Sequence, residues 1–126
     1  MIKVAIDAGP LTSGHKVRGV GFYTKNLIEA LGKNIEAIDG KLANLAKYDL
    51  IHIPYFNPFL FSFPKNISNY KFVVTIHDLI PLIYPKQYPP GVRGKLNFLK
   101  QKMIVKDAKA IITDSETSKK DIVRFL

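Results

Sequence analysis

Short apolar runs alternate with amphipathic segments along this chain. Each apolar run is bounded by polar or turn-forming residues, which is typical of buried β-strands. Strands are predicted at residues 2–7, 34–38, 49–53, 71–76 and 109–114. Helices are predicted at residues 21–33, 41–48, 91–107 and from 118 onward. This alternation predicts an α/β fold, in which a parallel sheet carries helices on both faces.

The predicted helix ends follow from local signals. In the first helix Gly32 supplies the C-terminal stop. Ser118 is the predicted N-cap of the last helix, with Asp121 three residues later in a capping-box arrangement. The apolar residues that share one face of the first helix are Phe22, Leu27, Ala30 and Leu31.

Residues 91–107 carry an apolar stripe along one side of the predicted helix, with lysines on its flank. Two interpretations are open. The stripe either packs on the core, which is the usual role of such a face, or attaches the protein to an anionic membrane surface. The stripe residues are Val92, Leu96, Leu99 and Met103, and the flanking lysines are Lys95, Lys102 and Lys106.

Composition narrows the class of protein. The 126 residues suit one domain, with 47% apolar residues, 23% charged residues and no cysteine. Absence of cysteine excludes disulfides and cysteine-based zinc sites, and it fits a cytoplasmic protein. The first apolar run reads as a strand and not as a secretory signal, and no run reaches the ~20 apolar residues of a membrane-spanning helix.

The formal charge of +9 favours anionic partners. Nucleic acid, anionic lipid headgroups and phosphorylated small molecules all meet that requirement. Nucleic acid is disfavoured because no nucleic-acid-binding motif appears and aromatic residues are not interleaved with the lysines.

Ligands of parallel α/β sheets bind at the carboxyl ends of the strands, which directs attention to loops 8–21, 54–64, 77–90 and 114–117. In the first loop, Arg18, Gly19, Val20 and Gly21 precede a helix whose free N–H groups suit an anion. The alternative is a surface loop with a glycine turn, since the motif is not a complete dinucleotide fingerprint.

His77 and Asp78 directly follow the predicted fourth strand. An imidazole can donate to a hydroxyl or exchange a proton, and a carboxylate can orient it or bind sugar hydroxyls. The alternative is that Asp78 caps a turn while His77 packs with one hydrogen bond. The position at a strand end favours the functional interpretation.

Loop 54–64 offers Tyr55, Phe56 and Asn57 as walls of an acceptor pocket, or as a cover for the sheet edge. His52, inside the preceding strand, is expected to serve the core or to support the site. No pair of histidines has metal-ligand spacing, so no metal is expected.

Four segments in order resemble the N-terminal half of retaining glycosyltransferases of group 1, also called family 4. They are "KVAIDAGPLTSG…RGVGFYTKNLIEAL", "DLIHIPYF", "FVVTIHDLIPLIYP" and "AIITDSETSKKDI". The resemblance implies one Rossmann-like half of a two-domain GT-B architecture. It implies that Gly19 and Gly21 approach donor phosphate and acceptor, and that His77 contacts the donor sugar beside Asp78. Ser115 and Glu116 are then expected at the rim of the cleft.

The same resemblance implies transfer of a sugar from a nucleotide-sugar donor, with retained configuration, to a sugar or lipid-linked acceptor. Residues 1–126 are then the acceptor-side domain, and a C-terminal donor-binding domain is expected in cis or on a partner chain. No cofactor is expected. The expected location is cytoplasmic, with peripheral contact to the inner face of the membrane. The rival interpretation is a basic α/β binding module, or one subunit of a two-chain transferase, without catalysis alone.

Overall fold

The computed structural model describes residues 2–12 and 19–126 and confirms the alternation of strands and helices. The strands are β1 (Val4–Asp7), β2 (Glu36–Ile38), β3 (Leu50–Ile53), β4 (Phe72–Thr75) and β5 (Ala110–Ile112). The helices are α1 (Gly19–Leu31), α2 (Ile80–Ile83), α3 (Gly91–Asp107) and α4 (Glu116–Phe125). Short 3₁₀ turns occupy Gly9–Leu11, Gly32–Asn34, Leu45–Lys47 and Ile67–Asn69.

The strands form one five-stranded sheet in the order β2-β1-β3-β4-β5, and every neighbouring pair is parallel. Ala5 lies beside Ile51, and Ile51 lies beside Phe72, so the central register joins fully buried side chains. β3 and β4 are apolar almost throughout because a parallel sheet covered by helices buries both faces of its central strands.

The strand order reverses between β1 and β3. The chain moves from β1 outward to β2, then returns past β1 to β3, β4 and β5. Right-handed crossovers therefore place α1 and α3 on opposite faces of the sheet, as the sequence predicted. The reversal opens a crevice at the carboxyl ends of β1 and β3, which is where sheets of this class bind ligands.

The first helix ends as predicted but presents a different face to the protein. Gly32 has φ +52°, a left-handed conformation that glycine adopts without strain and that stops α1. Phe22 is 55% exposed, so the predicted core face is wrong at that position. Gly21 and Thr24 are buried instead, and the Thr24 hydroxyl donates to the Val20 carbonyl at 2.8 Å. Small side chains let this helix approach its neighbours closely.

The bounds of α3 match the prediction, but its apolar stripe does not pack on the core. Val92, Leu96, Leu99 and Met103 are between 54% and 79% exposed. The buried positions are Gly94, Gln101 and Val105, on the opposite side of the helix. Hydrogen bonds from Gln101 and Asn97 to loop 57–62 fix this orientation.

The predicted helix at 41–48 is wrong except for the single turn Leu45–Lys47, where Asn44 Oδ1 accepts from Ala46 N at 3.2 Å. Asn44 is the N-cap of this turn, so the helical conformation begins after it. The apolar residues on either side of Asn44 therefore do not form one longer helix. Among the described residues, no helix has both the length and the apolar content needed to cross a bilayer.

Candidate functional site

An open cavity of about 450 Å³ lies at the carboxyl edge of the sheet. Its volume is in the range of small-molecule sites. Four connections contribute to its wall: the start of α1, the loop after β3, the loop after β4 and the residue after β5. The lining residues are Gly19, Val20, Tyr23, Tyr55, Phe56, Asn57, Pro58, His77, Asp78, Pro81 and Asp114.

His77 is the most constrained polar side chain of the cavity. Its Nε2–H donates to the Pro54 carbonyl at 3.1 Å, and its Nδ1 lies 3.3 Å from Asp114 Oδ2. Both ring nitrogens therefore lie within hydrogen-bonding distance of an oxygen atom. The side chain is 17% exposed, and Nδ1 lies on the solvent-facing side because Asp114 is 60% exposed. A ligand oxygen can take the place of Asp114 at this nitrogen.

A buried row of polar groups lies behind His77. The Tyr23 ring meets the His77 ring edge-on, with 4.8 Å between centroids. The Tyr23 hydroxyl shares a hydrogen bond of 3.0 Å with the Thr75 hydroxyl, which in turn lies 2.7 Å from His52 Nε2. Burial lowers the pKa of His52 to about 4, because the protein interior disfavours its charged form. His52 is thus a neutral supporting residue, as its place within β3 suggested.

Ser118 anchors the backbone of His77, a contact that the sequence did not reveal. Its hydroxyl donates to the His77 carbonyl at 2.8 Å. The predicted N-cap role of Ser118 is wrong: Ser115 is the N-cap of α4, and its Oγ accepts from Ser118 N at 3.0 Å. The N-cap of α4 lies three residues earlier than expected, because the hydroxyl of Ser115 accepts the hydrogen bond of the Ser118 N–H.

Asp78 lies at the mouth of the cavity and also has a local structural role. Its Oδ1 accepts from Ile80 N at 3.1 Å, which fixes the turn into α2. The turn-capping alternative is therefore present in the structure, while the position in the cavity wall leaves the carboxylate exposed to a ligand.

A comparison with protein families shows which family contains this chain. Residues 10–126 match the family described as Glycosyltransferase Family 4. The chain belongs to glycosyltransferase family 4. The match spans the loops after β1, β3, β4 and β5, so every wall of the cavity lies inside it. No curated protein and no solved structure gives a significant match.

The glycosyltransferase cavity includes most of the residues proposed from the sequence. Gly19 and Val20 lie at its wall, at the N-terminus of α1, where the first N–H groups of a helix have no intrahelical acceptor. Gly21 lies one position further into α1, buried and outside the lining. Arg18 lies outside the described residues.

The loop after β3 is held in shape by its own polar groups. Asn57 Oδ1 accepts from Phe59 N at 2.9 Å and Leu60 N at 3.1 Å, and its carbonyl accepts from Gln101 Nε2 at 2.8 Å. This turn keeps Tyr55 and Asn57 in the cavity wall. The amide oxygen of Asn57 is therefore engaged within the protein. Only the amide NH₂ of this side chain would remain to contact a ligand.

Ser115 and Glu116 are outside the cavity lining, and Asp114 occupies the position that the sequence assigned to them. Tyr23, Pro58 and Pro81 are further lining residues that the sequence analysis missed. For Asp114 a signal existed, because it is the first charged residue after β5. For Tyr23 none existed, because its contact with His77 crosses from α1 to the loop after β4.

Within residues 2–12 and 19–126, no group of three histidine, cysteine or acidic side chains is arranged to hold a metal ion. The polar lining residues of the cavity are one histidine, two aspartates, one asparagine and two tyrosines. These groups suit a ligand with many hydroxyls and a nearby negative charge.

Proposed function

We propose that this family 4 glycosyltransferase domain binds the acceptor in a retaining transfer of a sugar from a nucleotide-sugar donor. The observation that carries the proposal is the placement of His77, which is anchored by its Nε2 and lines a cavity at the carboxyl edge of the sheet together with Asp114, the partner of its Nδ1. Family membership supports a transferase, and the cavity supports this particular site for it.

The chemistry of the cavity fits an acceptor with hydroxyl groups. Asp78 and Asp114 supply carboxylates that accept hydrogen bonds from sugar hydroxyls, while Tyr55 offers an aromatic face to a sugar ring. His77, which lines the cavity, forms a hydrogen bond with an oxygen of the transferred sugar near the departing diphosphate. In this scheme the protein accelerates transfer by positioning the reactants and stabilising charge, without a protein nucleophile on this domain.

The start of α1 is proposed to approach the donor phosphate. Gly19 has open space where a side chain would stand, so a phosphate can approach the backbone closely. The free N–H groups of the first helical turn favour an anion. Arg18, next to this turn in the sequence, would add a positive charge.

We further propose that a second domain, in cis or on a partner chain, closes the cleft and holds most of the nucleotide sugar. The cavity is open to solvent, which supports this, because a second domain could close over it. The transfer then needs no metal or organic cofactor from this domain. A cytoplasmic location is proposed because the chain contains no cysteine.

The reaction is tested with the complete polypeptide and a panel of UDP-, ADP- and GDP-linked hexoses. Nucleotide release is measured with soluble glycosides, polyprenyl-phosphate-linked sugars and glycolipids as acceptors. We expect release with one nucleotide class that rises when the correct acceptor is added. NMR of the product is expected to show the same anomeric configuration as the donor.

Two results would count against this function. Inverted configuration in the product would contradict the retaining mechanism while leaving the transferase assignment intact. Absence of nucleotide release with every donor, together with tight binding of one phosphorylated ligand, would favour the binding-module interpretation.

A further inference from the structure

Helix α3 has two apolar faces, and among residues 2–12 and 19–126 only one of them packs against the rest of the protein. Phe98, Ile104 and Val105 lie on the inward side. The stripe of Val92, Leu96, Leu99 and Met103 falls within a sector of about 60° on the opposite side, given 3.6 residues per turn. All four stripe residues are more than half exposed. We call this outward sector the α3 stripe.

The α3 stripe is bordered by cations on both sides. On the helical wheel Lys95, Lys102 and Lys106 border one edge, and Arg93 and Lys100 lie toward the other. Asp107, in the last turn, is the only acidic residue of the helix. None of the five cations takes part in an ion pair with the described residues. The helix thus presents an apolar strip between two positively charged margins.

The helix cannot simply turn its stripe inward. Gln101 is fully buried, and its Oε1 accepts from Ser62 N at 2.8 Å and Ser62 Oγ at 3.0 Å. Its Nε2 donates to the Asn57 carbonyl at 2.8 Å, and Asn97 Nδ2 donates to the Phe59 carbonyl at 3.0 Å. Rotation would leave these buried polar groups without partners, which is costly. The outward position of the stripe is therefore built into the fold.

We propose that the α3 stripe binds the surface of an anionic lipid bilayer. A helix that lies in the interface inserts an apolar face at the level of the headgroups and keeps lysines and arginines at the sides, where they meet anionic lipid. Lysine and arginine stems add apolar area while their charged ends reach the headgroups. A protein partner of this face would need acidic groups on both sides of an apolar ridge, whereas an anionic bilayer supplies them at any orientation.

This surface lies close to the candidate site. The buried side of α3 holds the Asn57 carbonyl, and Asn57 lines the cavity. The distance from that side of a helix to its outer face is about 10 Å. Binding through the α3 stripe therefore brings the cavity wall near the lipid headgroups. The proposal does not depend on sugar transfer, since lipid binding is measurable without a donor.

The test is binding of the complete polypeptide to vesicles, measured by co-sedimentation. Vesicles of phosphatidylcholine alone are compared with vesicles that also contain phosphatidylglycerol. We expect binding to the anionic vesicles, weakened by salt because surface charge is screened. Lys95→Glu with Lys106→Glu is expected to weaken binding at least about 25-fold, since the loss of each nearby cation alone costs about 5-fold and charge reversal adds to that loss. Leu96→Gln with Leu99→Gln is expected to weaken it about 10-fold or more.

Matched controls change the same chemistry elsewhere on the surface. Lys33→Glu with Lys119→Glu alters the net charge equally at exposed positions outside α3. Leu42→Gln with Val123→Asn removes apolar surface at positions 85% and 78% exposed. Both control pairs are expected to bind anionic vesicles within about 3-fold of the unchanged protein, because neither touches the helix.

Equal loss of binding in the control pairs would overturn the proposal, since general charge would then explain the effect. Absence of binding to anionic vesicles would overturn it as well. In that case concentration-dependent dimers lost in the Leu96→Gln, Leu99→Gln variant would assign the stripe to a second copy. Unfolding of the same variant would assign it to another segment of the polypeptide.

Discussion

His77 is held by groups from four separate parts of the chain. Pro54 follows β3, Tyr23 lies in α1, Asp114 follows β5 and Ser118 lies in α4. Each contact restrains a different part of the residue: one ring nitrogen, the ring face, the other nitrogen and the backbone. A side chain restrained in this way loses little entropy when a ligand binds, which is the condition for precise positioning.

His52 gives a prediction about pH and stability. Its pKa is about 4 in the folded protein and close to 6.5 when unfolded. Between about pH 4 and pH 6.5 the unfolded state therefore binds a proton at His52 more readily than the folded state does. The contribution of His52 to stability is complete above about pH 6.5 and is lost as the pH falls toward about 4. We expect the free energy of unfolding to fall by about 2 kcal/mol between about pH 8 and pH 5 through this residue alone.

Denaturant unfolding of the protein and of His52→Gln at both pH values measures this effect as a difference. In His52→Gln the free energy of unfolding is expected to lack the part of its pH dependence that comes from His52, while the part from other groups remains. An NMR titration of the His52 ring gives a second readout that does not require the variant to fold. A ring that protonates near pH 6.5 in the folded protein would contradict the account.

At the scale of elements, α3 shows what the sequence could and could not predict. The apolar spacing predicted this helix with the bounds that it has, Gly91–Asp107. The interpretation that its apolar stripe packs on the core was wrong. The opposite side is buried because two amide side chains, Asn97 and Gln101, bind the backbone of loop 57–62. Hydrogen bonds to a loop outweighed the usual preference for burying leucine, and such bonds depend on a partner 38 or more residues away.

Removal of the Gln101 amide is expected to destabilise the protein strongly. Gln101→Ala leaves the Ser62 N–H and the Asn57 carbonyl without their partners, so we expect a loss of about 2–4 kcal/mol in the free energy of unfolding. Lys100→Ala, an exposed neighbour on the same helix, is the control and is expected to change it by less than about 0.5 kcal/mol. Equal effects of the two substitutions in denaturant unfolding would show that the amide does not fix α3.

The candidate site was predictable to the extent that it follows strand ends. His77, Asp78, Tyr55 and Asn57 come directly after buried strands, so their common edge followed from a parallel sheet. Ser115 and Glu116 were expected at the rim of the cleft from the family resemblance; they are not among the lining residues of the cavity, where Asp114 is the residue from this turn, and their place at the rim stays a prediction. Contacts between distant helices, such as Tyr23 with His77, have no local sequence signal.

The whole molecule is a cationic α/β domain, and the two surfaces for which we propose functions, the cavity and the α3 stripe, lie on parts of the chain that contact each other through Gln101 and Asn57. The formal charge of +9 is partly concentrated on α3, while the cavity itself contains Asp78 and Asp114. The apolar edge of β5, with Ile111 and Ile112 about 40% exposed, is a further surface available for contact. These features are compatible with the two proposals, acceptor binding in the cavity and lipid binding by the α3 stripe.

The most direct test of the account is the turnover of the complete enzyme with His77→Ala. We expect kcat to fall about 100-fold or more, with the free energy of unfolding reduced by no more than about 2 kcal/mol. Lys33→Ala, exposed beyond the other end of α1, is the matched control and is expected to retain full turnover. Turnover of His77→Ala equal to that of the control, in a folded protein, would contradict the central role of His77.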